Sequence, residues 1–330
     1  MADSGVQYHH HGRFKVHGGV LPDAVTAYQT FGDVSNPCIV FPTCYGAKLA
    51  LGSQMYLVGE NKALDPRRYF VVTFALFCNG EPPPYNGPYF PAVSYADNIR
   101  AQYAVLQHLG VSKVRCAIGF SMGGQQAYHW AAMYPDVVEK FVAICSSART
   151  SPHNICFLEG PKAAMKAGAD FAEGHYTAPP ERSIRAFGRA YSAWAYGQAW
   201  FRQHLYKFGG AYPTLDAFLR EVWEGRYVAN WDANDMLALL ETWQRGDISL
   251  VVPGVEDFAG ALAGIRARGL IMPCRTDLYF CPEDSELEVA GLRDGELAVI
   301  ESVWGHAAGG GANAEDVTFV TQHVQAFLED

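Results

Sequence analysis

Glycine and serine are abundant, so a G-x-S-x-G match constrains a fold only through its flanks. In this chain the match is Gly119-Phe120-Ser121-Met122-Gly123. The run Val114–Ile118 before it is apolar and reads as a buried strand. Met122–Met133 after it reads as a helix that closes before Tyr134-Pro135. A serine squeezed between a strand and a helix needs glycines where a Cβ would clash, and its hydroxyl is left exposed at the sheet edge. The helix N-terminus beneath it favours developing negative charge. This nucleophile-elbow arrangement makes Ser121 an activated nucleophile rather than an ordinary turn residue.

The rest of the chain supplies a sheet for such an elbow. Ala24–Thr30, Cys38–Phe41, Tyr69–Leu76, Phe141–Cys145, Leu270–Cys274 and Leu297–Ile300 read as further strands. Tyr95–Leu109 has apolar residues at helical spacing and stops at Gly110, and Thr318–Phe327 reads as a last helix. Strands alternating with helices imply right-handed crossovers and a mostly parallel sheet, an α/β fold. Residues 152–245 break the alternation with several helices rich in Trp, Tyr and Phe. The expected organisation is an α/β core of residues 1–151 and 246–330, interrupted by a helical lid at 152–245.

An activated serine needs a base, and the base needs a carboxylate to orient it. For a serine on such an elbow the chain order is Ser, then Asp or Glu, then His. Asp277 comes first after the strand Leu270–Cys274, with Glu283 and Asp284 as neighbouring alternatives. His306 follows the next strand in a glycine-rich loop, whereas His153, His175, His204 and His323 fall in the lid or the last helix. Both preferred residues thus stand where parallel strands end, the edge at which functional groups gather. The backbone N–H of Met122 is one expected oxyanion donor, and Cys44 or Tyr45 in FPTCYG supplies the second. Each such donor lowers the barrier by roughly 3 kcal/mol. Cys44 has no histidine nearby to make it a nucleophile itself.

Composition narrows the partners. Of 330 residues 18% are charged, the formal net charge is −9, and no run of lysines or arginines occurs. Nucleic acid and anionic membrane are therefore not expected partners. No apolar stretch reaches membrane-span length, and MADSGVQYHHHGRF lacks the basic start and apolar block of a secretory signal. His9, His10 and His11 have no acidic or cysteine partner nearby and read as a solvated tail rather than a metal site. Of the eight cysteines, Cys38, Cys116 and Cys145 fall in apolar runs and no CxxC occurs, which reads as reduced core thiols in a cytoplasmic protein. Neither a metal nor a cofactor is implied, since no phosphate-cradling P-loop is present. A homodimer is left open.

Several separate motifs, in order, carry a family resemblance: DPRRYFVV (65–72), FPAVSYADNIRAQ (90–102), GFSMGGQQAYHWAAMYPD (119–136), SSARTSPHN (146–154), DANDML (232–237), TDLYF (276–280) and the late GH pair. With them the chain resembles the homoserine O-acetyltransferase-like branch of the α/β-hydrolase superfamily, from about Arg13 to the C-terminus. The resemblance implies an α/β-hydrolase fold with a helical lid and a Ser121–Asp277–His306 triad. The family reads GHDAFL after its last strand, where the Asp helps to hold the homoserine amine; here Ala307 stands at that place. Arg185 matches the family's lid Arg, but Ser192, beside Tyr191, falls where its Tyr is found, and CNGEPPPYNG replaces a glycine-rich loop. An ammonium without its carboxylate binds poorly. The resemblance therefore implies a divergent, hydrolase-type homologue acting on an ester, lactone or related acyl bond of an apolar small molecule, as in secondary-metabolite pathways. Coenzyme A-dependent acyl transfer and non-acyl chemistry such as epoxide opening or cyclisation are the rival expectations. Aromatic lid residues Phe187, Tyr191, Trp194, Tyr196, Trp200, Phe201, Trp231 and Trp243 supply the expected apolar pocket, with Asn79, Tyr45, Arg185, Asp232 and Trp304 as its polar groups.

Overall fold

The computed structural model describes residues 5–49, 55–81, 87–252, 254–255 and 257–330. Its strands in chain order are β1 (Gln7–Val16), β2 (Gly19–Phe31), β3 (Cys38–Val40), β4 (Phe70–Phe74), β5 (Cys116–Phe120), β6 (Lys140–Ile144), β7 (Arg268–Met272) and β8 (Gly295–Leu297). They form one sheet in the spatial order β1-β2-β4-β3-β5-β6-β7-β8. The β1–β2 and β2–β4 pairs are antiparallel. Every pair from β4–β3 onward is parallel.

Eleven α-helices surround this sheet among the described residues. They are α1 (Tyr95–His108), α2 (Met122–Met133), α3 (Pro152–Lys166), α4 (Glu181–Ser192), α5 (Gln198–Arg202), α6 (Leu215–Phe218), α7 (Arg226–Asn230), α8 (Ala233–Gln244), α9 (Phe258–Gly264), α10 (Pro282–Gly291) and α11 (Ala314–Glu329). Alternate strand residues face opposite layers. Val40, Val72, Ala117, Ala143 and Ile271 join a core with residues of α1, α2 and α9. Ile39, Val71, Ile118, Val142 and Leu270 join another with residues of α11. Both faces are covered, so the central strands are unbroken apolar runs instead of alternating ones.

The insertion between β6 and β7 holds α3 to α8 and packs as a third, largely aromatic core against the carboxyl edge of the sheet. Pro152 starts α3 after the N-cap Ser151, whose hydroxyl accepts the Asn154 N–H. Asp232 caps α8 in the same way through the N–H groups of Asn234 and Asp235. The whole insertion thus leaves and rejoins the sheet next to the strand ends that carry the site.

One expectation is corrected at the N-terminus. His9, His10 and His11 are not a solvated tail but part of β1, with His9 opposite Thr26 and His10 opposite Val25. The His11 Nε2 lies 2.8 Å from the Thr26 hydroxyl. Burial beside His9 and His10 pushes the His11 imidazole down to about 4. The reason it was unreadable is that β1 is a half-exposed edge strand of polar residues; its order comes from pairing with β2, not from an apolar pattern.

All eight cysteines are free. Cys38 and Cys116 are buried core groups whose thiols are pushed up to about 12 by desolvation. No helix among the described residues is long and apolar enough to cross a membrane. Of the CNGEPPPYNG loop, residues 82–86 lie outside the described residues.

Candidate active site

Ser121 sits between β5 and α2 with φ 58° and ψ −126°, a backbone region that L-residues rarely adopt. Holding such a residue costs on the order of 1–3 kcal/mol and requires surroundings that enforce it. Those surroundings are visible. The Ser121 N–H donates to Ile144 O at 2.9 Å, and the Ser146 hydroxyl donates to Ser121 O at 2.6 Å. A Cβ on Gly119 would stand 2.1 Å from the Gly123 carbonyl carbon, and one on Gly123 would stand 2.8 Å from Pro42 O. The two glycines of the pentapeptide are therefore needed for the close approach of three backbone segments.

His306 lies in the helical turn Gly305–Gly310 beyond β8. Its Nε2 is 2.9 Å from Ser121 Oγ, and its Nδ1 is 2.8 Å from Asp277 Oδ2. The imidazole is packed by Phe120, Tyr279 and Phe280, with ring centroids 4.7, 4.6 and 5.6 Å away. Asp277 is fully buried, and its second oxygen accepts the Tyr279 and Phe280 N–H groups at 2.8 and 3.2 Å. Three donors on a buried carboxylate lock its orientation. Glu283 and Asp284 instead fall in the first turn of α10 and make no bond to His306. The loops bearing the acid and the base are tied together: Thr276 donates to Ser302 O at 2.8 Å and accepts the Gly305 N–H at 3.1 Å.

The segment after β3 closes the other side. No acceptor engages the N–H groups of Met122, Cys44 or Tyr45 among the described residues, so all three are available as donors. The Gln126 side chain fixes this segment by donating to Thr43 O at 2.9 Å and Met122 O at 3.2 Å. Gln102 donates to Gln126 Oε1 at 2.7 Å, and Trp130 donates to Gln102 at 2.8 Å. This relay was not singled out from sequence. Its signal was present, since a buried glutamine on each of two helices, Gln102 on α1 and Gln126 on α2, must find partners.

A cavity of about 240 Å³ opens above Ser121 and His306. Of the expected residues, Cys44, Tyr45, Tyr191, Tyr196 and Trp231 line it. Tyr45 stacks between Tyr191 at 5.5 Å and Trp231 at 6.4 Å, and its hydroxyl donates to Met236 O at 3.2 Å. Phe187, Trp200 and Trp243 are instead fully buried core.

Four expected pocket groups are elsewhere, each for a physical reason. Asn79 is buried and its amide donates to Glu81 at 2.8 Å. Arg185 lies on the outer side of α4, paired with Glu181 at 3.2 Å and Glu224 at 3.5 Å. Asp232 is the α8 cap and accepts the Tyr176 hydroxyl at 2.7 Å. Trp304 packs behind the cavity, with Tyr196 at 6.4 Å and Trp200 at 5.8 Å. Conversely, Val222, Trp223, Arg226 and Tyr227 line the cavity without having been anticipated. Their spacing puts them on one helix face, a pattern that sequence could have offered.

Known proteins share this layout. A family model described as alpha/beta hydrolase fold matches residues 37–170. The chain is 29% identical to an ethyl acetate hydrolase of Pseudomonas veronii, over 94% of its own length and 91% of the relative's. It is 30% identical to a probable esterase of Corynebacterium glutamicum, covering 88% and 85%. A homoserine O-acetyltransferase of Trichormus variabilis matches at 28% identity over 88% and 85%. Among solved structures, an acetylester hydrolase from Corynebacterium glutamicum has a TM-score of 0.92 at 25% identity, covering 98% of this chain and 96% of that one.

Proposed function

Because the chain belongs to the α/β-hydrolase family, in the branch of homoserine acyltransferases and their esterase relatives, we propose that it is a serine-dependent hydrolase of small acyl esters. The observation that carries this reading is the unbroken line Asp277–His306–Ser121, with contacts of 2.8 and 2.9 Å, at the floor of the aromatic cavity. His306 Nε2 takes the Ser121 proton as Oγ attacks the ester carbonyl. The oxyanion meets the N–H of Met122 and that of Cys44 or Tyr45. His306 then returns the proton to the leaving alcohol, and water repeats the sequence on the acyl-enzyme.

The size and walls of the site favour small esters. A cavity of about 240 Å³ is below the range of roughly 300–1,000 Å³ for drug-sized ligands. Ala307 lines it and, among the described residues, no carboxylate does, which supports hydrolysis of neutral or anionic esters over capture of an amino-acid ammonium. The names of the relatives, ethyl acetate hydrolase and esterase among them, point the same way.

Ser121→Ala should lower kcat on p-nitrophenyl acetate by about 10⁴-fold or more. A fluorophosphonate should label the unaltered protein at one site and leave the variant unlabelled. Full turnover by the variant sinks the reading. Acetyl transfer to homoserine from acetyl coenzyme A without competing hydrolysis would replace it with the acyltransferase alternative.

A further inference from the structure

Among the described residues, Arg226 is the single permanently charged side chain lining the cavity above Ser121. Apart from Ser121 and His306, the remaining wall is aromatic, aliphatic, small or the Cys44 thiol. Arg226 begins α7 directly after a π-helical turn, Leu219–Gly225. With Val222, Trp223 and Tyr227 it forms the face that meets the cavity. Such turns inside a helix commonly mark functional positions.

The guanidinium has no acidic partner among the described residues. Several arginines of the lid do have one: Arg185 pairs with Glu181 and Glu224, Arg189 with Asp216 and Glu224, and Arg220 with Asp216. Its field also reaches inward. Burial raises the Tyr227 and Tyr196 hydroxyls and the Cys44 thiol, and the Arg226 charge acts against that rise on all three. In a chain of formal net charge −9, an unpaired cation on the nucleophile's cavity needs an explanation.

We propose that Arg226 is a specificity residue for esters that carry a carboxylate, such as half-esters of dicarboxylic acids. This rests on the esterase reading and deepens it. A guanidinium binds a carboxylate through two parallel hydrogen bonds. One arginine balances the single charge of a carboxylate, whereas a phosphate brings about −1.5 to −2 and would stay under-compensated here. The arginine is solvent-exposed although it lines the cavity, so a carboxylate bound to it would keep part of its hydration while the ester reaches Ser121. The carboxylate can belong to the acyl chain or to the alcohol, and substrates distinguish the two.

The test compares kcat/KM for monoethyl succinate, glutarate and adipate with their diethyl esters, and for 3-acetoxypropionate with its methyl ester. The unaltered enzyme should prefer the charged member of a pair, and the arm that shows the preference identifies the side. Arg226→Gln should reduce that charged-to-neutral ratio by roughly tenfold, and Arg226→Lys should restore part of it. Arg226→Glu should shift preference towards an ester bearing a quaternary ammonium. A ratio unmoved by Arg226→Gln, or no charge preference in either arm, overturns the proposal. If no ester is hydrolysed, the esterase reading fails separately, and binding decides this one. Glutarate should then quench the fluorescence of Trp223 and Trp231 saturably, and Arg226→Gln should abolish the effect; equal quenching, or none, overturns it.

Discussion

In the proposed mechanism Asp277 acts without touching the reacting atoms. One oxygen orients His306 at 2.8 Å and the other is occupied by two backbone donors. Asp277→Asn would keep the size and most of the packing. Its amide, however, can present an N–H to Nδ1, turning the imidazole into the tautomer with a proton on Nε2. That nitrogen then cannot accept from Ser121. The expected loss in kcat is about 10⁴-fold with little change in thermal stability, measured on p-nitrophenyl acetate and by melting. A loss below tenfold would remove Asp277 from the mechanism. At this scale the meeting of Ser121, Asp277 and His306 was legible because their positions follow from chain order and strand ends. Asn79, Arg185 and Asp232 were misplaced because a polar side chain does not announce its partner. Glu81, Glu224 and Tyr176 consume their hydrogen bonds before a ligand could.

At the scale of elements, the site depends on how α2 grips the segment after β3. Trp130, Gln102 and Gln126 form a buried chain of donors ending on Thr43 O. Gln126 touches no substrate; it positions the Cys44 and Tyr45 N–H groups. Gln126→Leu fills similar space but frees Thr43 O and leaves Gln102 without its acceptor. Loss of one oxyanion donor lowers kcat by about 10²–10³-fold, and a loosened donor should lose less, roughly 10–100-fold. KM should move by less than about threefold, because ground-state contacts survive. Parallel measurements of kcat, KM and fluorophosphonate labelling rate separate this from misfolding, which would lower active-site titre instead. Strands β3 to β7 and helices α1, α2 and α11 were readable from their periodicity, with ends shifted by a few residues. Strand β5, expected at Val114–Ile118, runs from Cys116 to Phe120, and Val114 makes only an isolated bridge to Val138. Strand β1 and helix α10 were not read: one is a polar edge and the other is a short helix with little apolar asymmetry.

For the molecule as a whole, the proposed triad is assembled from the ends of β5, β7 and β8, so its geometry is only as firm as the packing between them. Glu288 on α10 is part of that packing. Its Oε1 accepts the Ala148 N–H at 2.7 Å, joining the helix after the acid loop to the chain that leaves β6 for the lid. Full burial pushes the carboxyl up to about 8 from an ordinary 4.5, against the opposing pull of the Tyr128 hydroxyl and the Ala148 N–H. The folded state therefore keeps the proton at neutral pH while the unfolded chain releases it. With the folded value above the unfolded one, the contribution to stability is complete below about 4.5 and is lost progressively as pH rises through about 8. His129 slopes the other way in a lower window, because burial pushes its imidazole down to about 4 and folding opposes its protonation. This one group should thus lower the stability of the unaltered protein by up to a few kcal/mol in total between about pH 4.5 and about pH 8, with little further loss above that. Glu288→Gln supplies a permanent neutral isostere that can still accept from Ala148. Its urea midpoint should lie closer to the unaltered protein's at pH 5 and above it at pH 8.5. Parallel profiles across that window would mean that Glu288 is ionised in the fold.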